Sequence, residues 1–374
     1  MTDLKSLLLS SDLHITLSEN CTLSERVVPN GPKVIDEAGF KVSFLGDGGV
    51  DPTAAFEMKN GTIEWQTTPA WYMADQSWPP QNWLDPFNPA KVGIEAASTC
   101  HLKLRNVTIT LNVAQGAPSG SGGSLPPSAW LINLMGGSAE FENVTVKGIQ
   151  PYGAGFLTGY LAHDLVLKKV KLKKVHFPVR LHTPTNVLIE DFTSLYCSFG
   201  SLYFVKPTNL TILRPNIRYS GDGTQGDGIN ICGCNGVYIE GGSIIGAGCY
   251  GFWLNGPLGY PVYDVTVVDL AIEESLTSGF YISGAANQKA TKIKLQALDL
   301  GRNGGWGLAA LNYSDLTVNE QTIFRGNVGR TTAPQHYLDD NAAGLTAWNC
   351  VIAKNPFPDP PAQGVLPYVP YSYW

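Results

Sequence analysis

Two aspartates five positions apart, Asp222 and Asp227, sit in the glycine-rich stretch Tyr219-Ser-Gly-Asp-Gly-Thr-Gln-Gly-Asp-Gly-Ile-Asn-Ile231. Paired carboxylates at a groove edge can share the work of glycoside hydrolysis, one as acid and one as base or nucleophile, with their separation setting the stereochemical outcome. Asp in a Gly-flanked turn can equally bond its own backbone, so each carboxylate has a structural role open to it as well. Glu240 is a third candidate for the catalytic set, with Glu273 and Glu274 as possible assistants. A lyase would need a base to take a proton α to a carboxylate, usually with charge neutralisation of the substrate. Arg180, His182, Arg218 and Tyr219 are available for that.

The elements that must position these groups repeat along the chain. A short alternating segment recurs as Asn143-Val-Thr-Val, Asp164-Leu-Val-Leu, Asn186-Val-Leu-Ile, Asn209-Leu-Thr-Ile, Gly236-Val-Tyr-Ile, Asp264-Val-Thr-Val, Lys292-Ile-Lys-Leu and Asp315-Leu-Thr-Val. Its steps are 21, 22, 23, 27, 28, 28 and 23 residues. A second segment keeps phase with it, from Ala154-Gly-Phe-Leu through Asp227-Gly-Ile-Asn-Ile and Tyr250-Gly-Phe-Trp-Leu to Trp306-Gly-Leu-Ala-Ala. Two phased strand signals per turn, with uneven turns between them, predict a solenoid of stacked parallel strands. The expected fold class is therefore all-β: a right-handed, single-stranded parallel β-helix.

Strand alternation assigns the faces. One inward column is expected at Phe156, Val179, Leu202, Ile229, Phe252, Phe280 and Leu308, and the next at Leu181, Phe204, Ile231, Leu254 and Ile282. Between them, outward, the coils present Arg180, Tyr203, Asn230, Trp253 and Tyr281. A strip of aromatics broken by Asn and Arg suits sugar rings, whose C–H faces stack on aromatic planes while their hydroxyls bond polar neighbours. The same residue types are enriched where another protomer covers a surface. The organisation expected is an atypical cap with irregular first coils over 1–97, including an aromatic excursion at 71–87, a regular helix over 98–330, and an aromatic, proline-rich tail over 331–374.

Composition narrows the partners. Net charge −6 argues against nucleic acid. The one basic run, Lys168, Lys169, Lys171, Lys173 and Lys174, alternates with Val170 and Leu172, as on a strand with a solvated outer face. No signal peptide or membrane-spanning stretch is expected. Seven scattered cysteines suggest reduced thiols. Asn-x-Ser/Thr at Asn106, Asn143 and Asn209 is taken as a turn-to-strand junction and not a glycosylation site. No cofactor or metal is expected.

The stacked Asn-Val-x-Ile coils and the element Gly226-Asp-Gly-Ile-Asn-Ile231 resemble the pectin-lyase-like superfamily of β-helix proteins, over most of residues 98–330. The resemblance places Asp227 where polygalacturonases keep one catalytic Asp. Their following Gly-Asp-Asp element is matched here by Gly246-Ala-Gly-Cys-Tyr250, and their Gly-His-Gly and Arg-x-Lys elements are missing, which points away from polygalacturonase activity. A β-helix without that catalytic set is similar to bacteriophage tailspikes and depolymerases. This resemblance implies a homotrimer, made in the bacterial cytoplasm and carried on the virion beside other tail proteins, that binds and in some members degrades a bacterial surface polysaccharide. The alternatives are a stand-alone, extracellular carbohydrate-active enzyme (hydrolase, lyase or epimerase) and a structural virion protein without activity.

Overall fold

The computed structural model describes residues 2–67, 91–113, 129–148, 154–221, 226–257, 259–285, 287–319, 321–325, 327, 336–338, 345–348 and 351–352. The expected excursion at 71–87, Asp222, and most of the tail lie outside the described residues.

The chain winds as a right-handed parallel β-helix. Among the described residues, a front sheet of 12 strands and a back sheet of 24 run the length of the molecule, every strand-to-strand pairing parallel. Most coils contribute one strand to the front sheet and two to the back. In one coil, Phe177–His182 forms the front strand, and Thr185–Glu190 and Thr193–Leu195 form the first and second back strands. Parallel pairing is already present in the first hundred residues, where Val50 of the front sheet pairs with Ile94. A short helix at Leu4–Leu9 buries Leu4 and Leu8 in the core at the N-terminal end.

The core is the stack of inward columns. Leu202, Ile229, Phe252, Phe280 and Leu308 pair in register, as do Leu181, Phe204, Ile231, Leu254 and Ile282, all essentially inaccessible. Each such side chain contributes roughly 1.5 to 3 kcal/mol of burial before entropy is set against it. Two details depart from the sequence reading. Leu157, and not Phe156, is the register partner of Val179, although Phe156 is also buried and packs on Phe141. The segment Asn143-Val-Thr-Val belongs to the second back stack, because Ser138–Gly148 is one long strand that serves both: Ala139 pairs with Leu165 and Val146 with Leu172. From Leu165 on, the steps of 22, 23, 27, 28, 28 and 23 are the observed register.

The corners explain the Asn and Asp that open so many segments. Asn60, Asn106 and Asn143 adopt left-handed backbone, as do Asp164, Asn186 and Asn209 in the later coils, with φ between 47 and 59°. Asn tolerates that conformation better than most residues. Each amide then serves the neighbouring coil: Asn143 Nδ2 donates to Asn106 Oδ1 at 2.8 Å, Asn186 to Asp164 at 2.9 Å and Asn209 to Asn186 at 3.1 Å. The expected turn-to-strand asparagines are thus rungs of hydrogen-bonded ladders.

The corners differ in length. Between the second back strand and the next front strand, the coils that end at Leu195, Ile245, Glu273 and Gly301 take 6 residues each, whereas the coil that ends at Arg218 takes 10 before Ile229. That corner carries Asp227. A glycine precedes the front strand in this and the following coils, and a Cβ on Gly228 or Gly251 would lie 2.4 or 2.1 Å from Ile244 or Ile272 of the back sheet.

Candidate functional site on the front sheet

The outward ladder expected from the sequence is in strict register: Arg180, Tyr203, Asn230, Trp253 and Tyr281 pair in succession. It also continues toward the N-terminus through Thr158 and Asn133, which the sequence reading missed because of the one-residue slip at Phe156. The alternation Ile132-Asn133-Leu134 is the signal that would have found Asn133.

Burial divides this ladder into two unlike halves. Asn133, Thr158 and Arg180 are 1 to 2% exposed. Beside them a separate apolar cluster lies on the outer face, Trp130 against Phe177, with Phe199 and Tyr203 packed on it. The Arg180 guanidinium stands 5.8 Å from the centre of the Tyr203 ring, a cation–π placement. Gly155 lets Trp130 lie across the sheet, since a Cβ there would fall 2.3 Å from its ring. The expected continuous groove from Arg180 to Tyr281 is therefore closed at its Arg180 end.

The other half is partly open. Trp253 and Tyr281 are half-buried, and Tyr250, from the corner before the Trp253 strand, stacks on Tyr281 with ring centres 4.6 Å apart and 13° between planes. Tyr250 also meets Trp253 at 5.2 Å. A chain of hydrogen bonds fixes the indole: Trp253 Nε1 donates to Ser283 Oγ (3.1 Å), Ser283 to Asn255 Oδ1 (3.2 Å), and Asn255 Nδ2 reaches Cys232 Sγ (3.6 Å). The three rings form a braced aromatic platform.

Asp227 lies one rung away. Asn230 Nδ2 donates to its Oδ2 at 2.6 Å and the Tyr250 backbone N–H donates to its Oδ1 at 3.1 Å. Both bonds favour the carboxylate, and the Cys249 thiol adds a third, yet desolvation outweighs them and pushes the group up to about 6. Gly226 permits the close approach: its φ is 112°, and a Cβ would fall 2.1 Å from the Phe199 carbonyl oxygen. Burial holds the Tyr203 phenol well above its usual range and raises the Cys232 thiol to about 11, so both are protonated at neutral pH.

The remaining candidates lie elsewhere. Glu240 is exposed on the back sheet, where it accepts a 2.8 Å bond from Tyr238, so it is not brought to Asp227. Glu273 and Glu274 both engage Arg302. His182 is buried two residues beyond Arg180. Arg218 and Tyr219 belong to the second back stack and its corner. Among the described residues no group of three His, Cys, Asp or Glu side chains could hold a metal ion.

Comparison with known proteins agrees on the scaffold. No protein-family model matches the sequence, and no curated protein matches it. Among solved structures, the periplasmic alginate epimerase AlgG is similar at TM-score 0.59 and 10% identity, over 94% of this chain and 84% of that one. The A-module of Azotobacter vinelandii mannuronan C-5 epimerase AlgE4 gives 0.50 and 12%, over 76% and 72%. Tailspike protein 3 of bacteriophage CBA120 gives 0.38 and 11%, over 85% and 57%, an overlap too loose to argue from. What the chain shares with the two epimerases is the fold, a parallel β-helix.

Proposed function

We propose that the protein lays a polysaccharide along the open half of the front sheet and transforms it with Asp227 as the proton-carrying group. The observation behind this reading is the placement of a carboxyl of pKa about 6 one rung from the Tyr250, Trp253 and Tyr281 platform. Aromatic faces hold sugar rings through their C–H surfaces. A carboxyl that titrates near the working pH is effective in proton transfer, because it is neither too weak a base nor too rarely ionised. At neutral pH Asp227 is mostly ionised, which equips it to take a proton from water or from a sugar carbon. Scaffolds of the same fold in proteins named as alginate and mannuronan epimerases support a polysaccharide as the ligand.

Reducing-sugar release, together with absorbance of unsaturated uronates, tests the reading on a panel of bacterial surface polysaccharides. Release without the absorbance marks a hydrolase, release with it a lyase, and deuterium uptake from D2O into an uncleaved chain an epimerase; binding with none of these leaves recognition alone, and no binding to any member of the panel counts against the proposal. On a polysaccharide that is bound, Trp253→Ala weakens affinity about tenfold, since an aromatic contact of this kind is worth roughly 1 kcal/mol beyond its buried area. Titration calorimetry checks this.

The proposal includes the setting that the resemblance implies, a homotrimer on a phage tail that meets its host's surface polysaccharide. A sedimentation mass three times the 40.3 kDa of the chain is the expected result, while a monomer favours the stand-alone enzyme.

A further inference from the structure

The basic run of the sequence takes on a different meaning in the folded chain. Lys168 is answered by Glu190 at 3.7 Å, and Lys103 in an earlier coil by Glu140 at 3.0 Å. Lys147, Lys171 and Lys173 are exposed on the second back stack, and among the described residues none of them has an ion pair. Lys147 and Lys173 are register partners on adjacent strands, so their backbones stand about 4.8 Å apart. Like charges placed directly opposite one another oppose folding, and here they gather in a protein whose net charge is −6.

The same column continues through Leu195 to Arg218, two coils further, about 10 Å on. At the corner beside it, Tyr196 and Tyr219 both take left-handed backbone, φ 55 and 54°, a conformation that costs a non-glycine residue roughly 1 kcal/mol or more. Their rings stack in parallel, centres 5.2 Å apart and planes 10° apart, and Tyr219 is 37% exposed. Gly246 holds the next corner position, where a Cβ would fall 2.6 Å from the Tyr219 ring. The strip ends one coil later at Glu273, which is paired with Arg302.

We propose that this strip is a second glycan-binding surface, separate from the front-sheet site, and that its ligand is an acidic polysaccharide. Cations that recur at the spacing of the coils meet carboxylates that recur along a sugar chain, and the tyrosine pair offers a plane for a ring face. Neither half suffices: a neutral glycan leaves the lysines unanswered, and a polyanion without rings leaves the tyrosines unused.

The test uses the full chain and sodium polygalacturonate, with dextran and polyphosphate as the neutral and ringless probes. Native protein binds polygalacturonate more tightly than either control, with affinity that falls as salt rises. The triple variant Lys147→Gln, Lys171→Gln, Lys173→Gln loses at least tenfold in that affinity, and Tyr219→Ala loses several-fold at the same salt concentration. All four positions are exposed; relief of the Lys147–Lys173 repulsion raises the thermal midpoint of the lysine variant, loss of the Tyr196 stack lowers that of Tyr219→Ala slightly, and a native circular-dichroism spectrum in each confirms that folding is intact. If the lysine variant binds as the native protein does, if Tyr219→Ala has no effect, or if polyphosphate binds as tightly as polygalacturonate, the proposal is overturned.

Discussion

An Asp227→Asn variant loses turnover by a factor on the order of 10² to 10⁴, the usual contribution of a positioned acid or base, while it binds the same polysaccharide within a few-fold of the native protein. The amide keeps the shape of the carboxyl and can still accept the Tyr250 N–H, and a turned-over Asn230 amide offers its oxygen to the new Nδ2, so the corner and the aromatic platform stay in place. It cannot carry the proton. In the native protein kcat/KM rises with pH through about 6, the point at which burial, opposed by the bonds from Tyr250 and Asn230, has placed this carboxyl. A profile that falls through the same pH would make Asp227 the acid and not the base. Turnover that survives in the variant would move the chemistry away from this corner.

The second large effect concerns stability. Glu37 is fully buried in the first coils, and burial, assisted by the adjacent Asp36, pushes its carboxyl up to about 8. Neither of its oxygens makes a hydrogen bond of good geometry, and the nearby Thr62 N–H is engaged by the Phe40 carbonyl. A raised acid means that the folded state holds a proton the unfolded chain has released. Below the ordinary carboxyl range both states are protonated and the group costs nothing extra; from there to about pH 8 stability falls by about 1.4 kcal/mol per pH unit. Glu37→Gln removes the ionisation. Its unfolding free energy from urea titration matches that of the native protein near pH 4 and exceeds it at pH 8, by a margin on the order of 4 kcal/mol. Free energies that run parallel across that range would show that Glu37 does not titrate in this way.

How far the fold was legible depended on where its periodicity was clean. From Leu165 to Leu308 the coils repeat one pattern, and the order of both inward columns and of the ladder from Arg180 to Tyr281 follows from alternation alone. Earlier, Ser138–Gly148 fuses two strands that later coils keep apart, so Asn143-Val-Thr-Val looks like Asn186-Val-Leu-Ile while occupying another stack. The slip at Phe156 has a similar cause: two adjacent apolar residues, both buried, leave the alternation undecided.

The site was less legible than the fold. Asp227 could be singled out by its glycines, but its elevated pKa arises from desolvation contributed by several coils, which no local pattern encodes. Tyr250 and its stack on Tyr281 were missed because a corner residue of one coil meets a strand residue of the next. Closure of the Arg180 end was hidden as well, since an outward position on a strand is not the same as an exposed one. The lysine run was legible as the solvated strand face it is, but sequence alone does not show Lys147 beside Lys173.

The corners after Leu195, Ile245, Glu273 and Gly301 take 6 residues each, and the one that delivers Asp227 takes 10. A scaffold whose register is held by inward columns and asparagine rungs can accept an insertion at such a corner without rewriting its folding code. The carboxyl proposed for chemistry thus sits on a part whose length can change while the stack beneath it stays as it is.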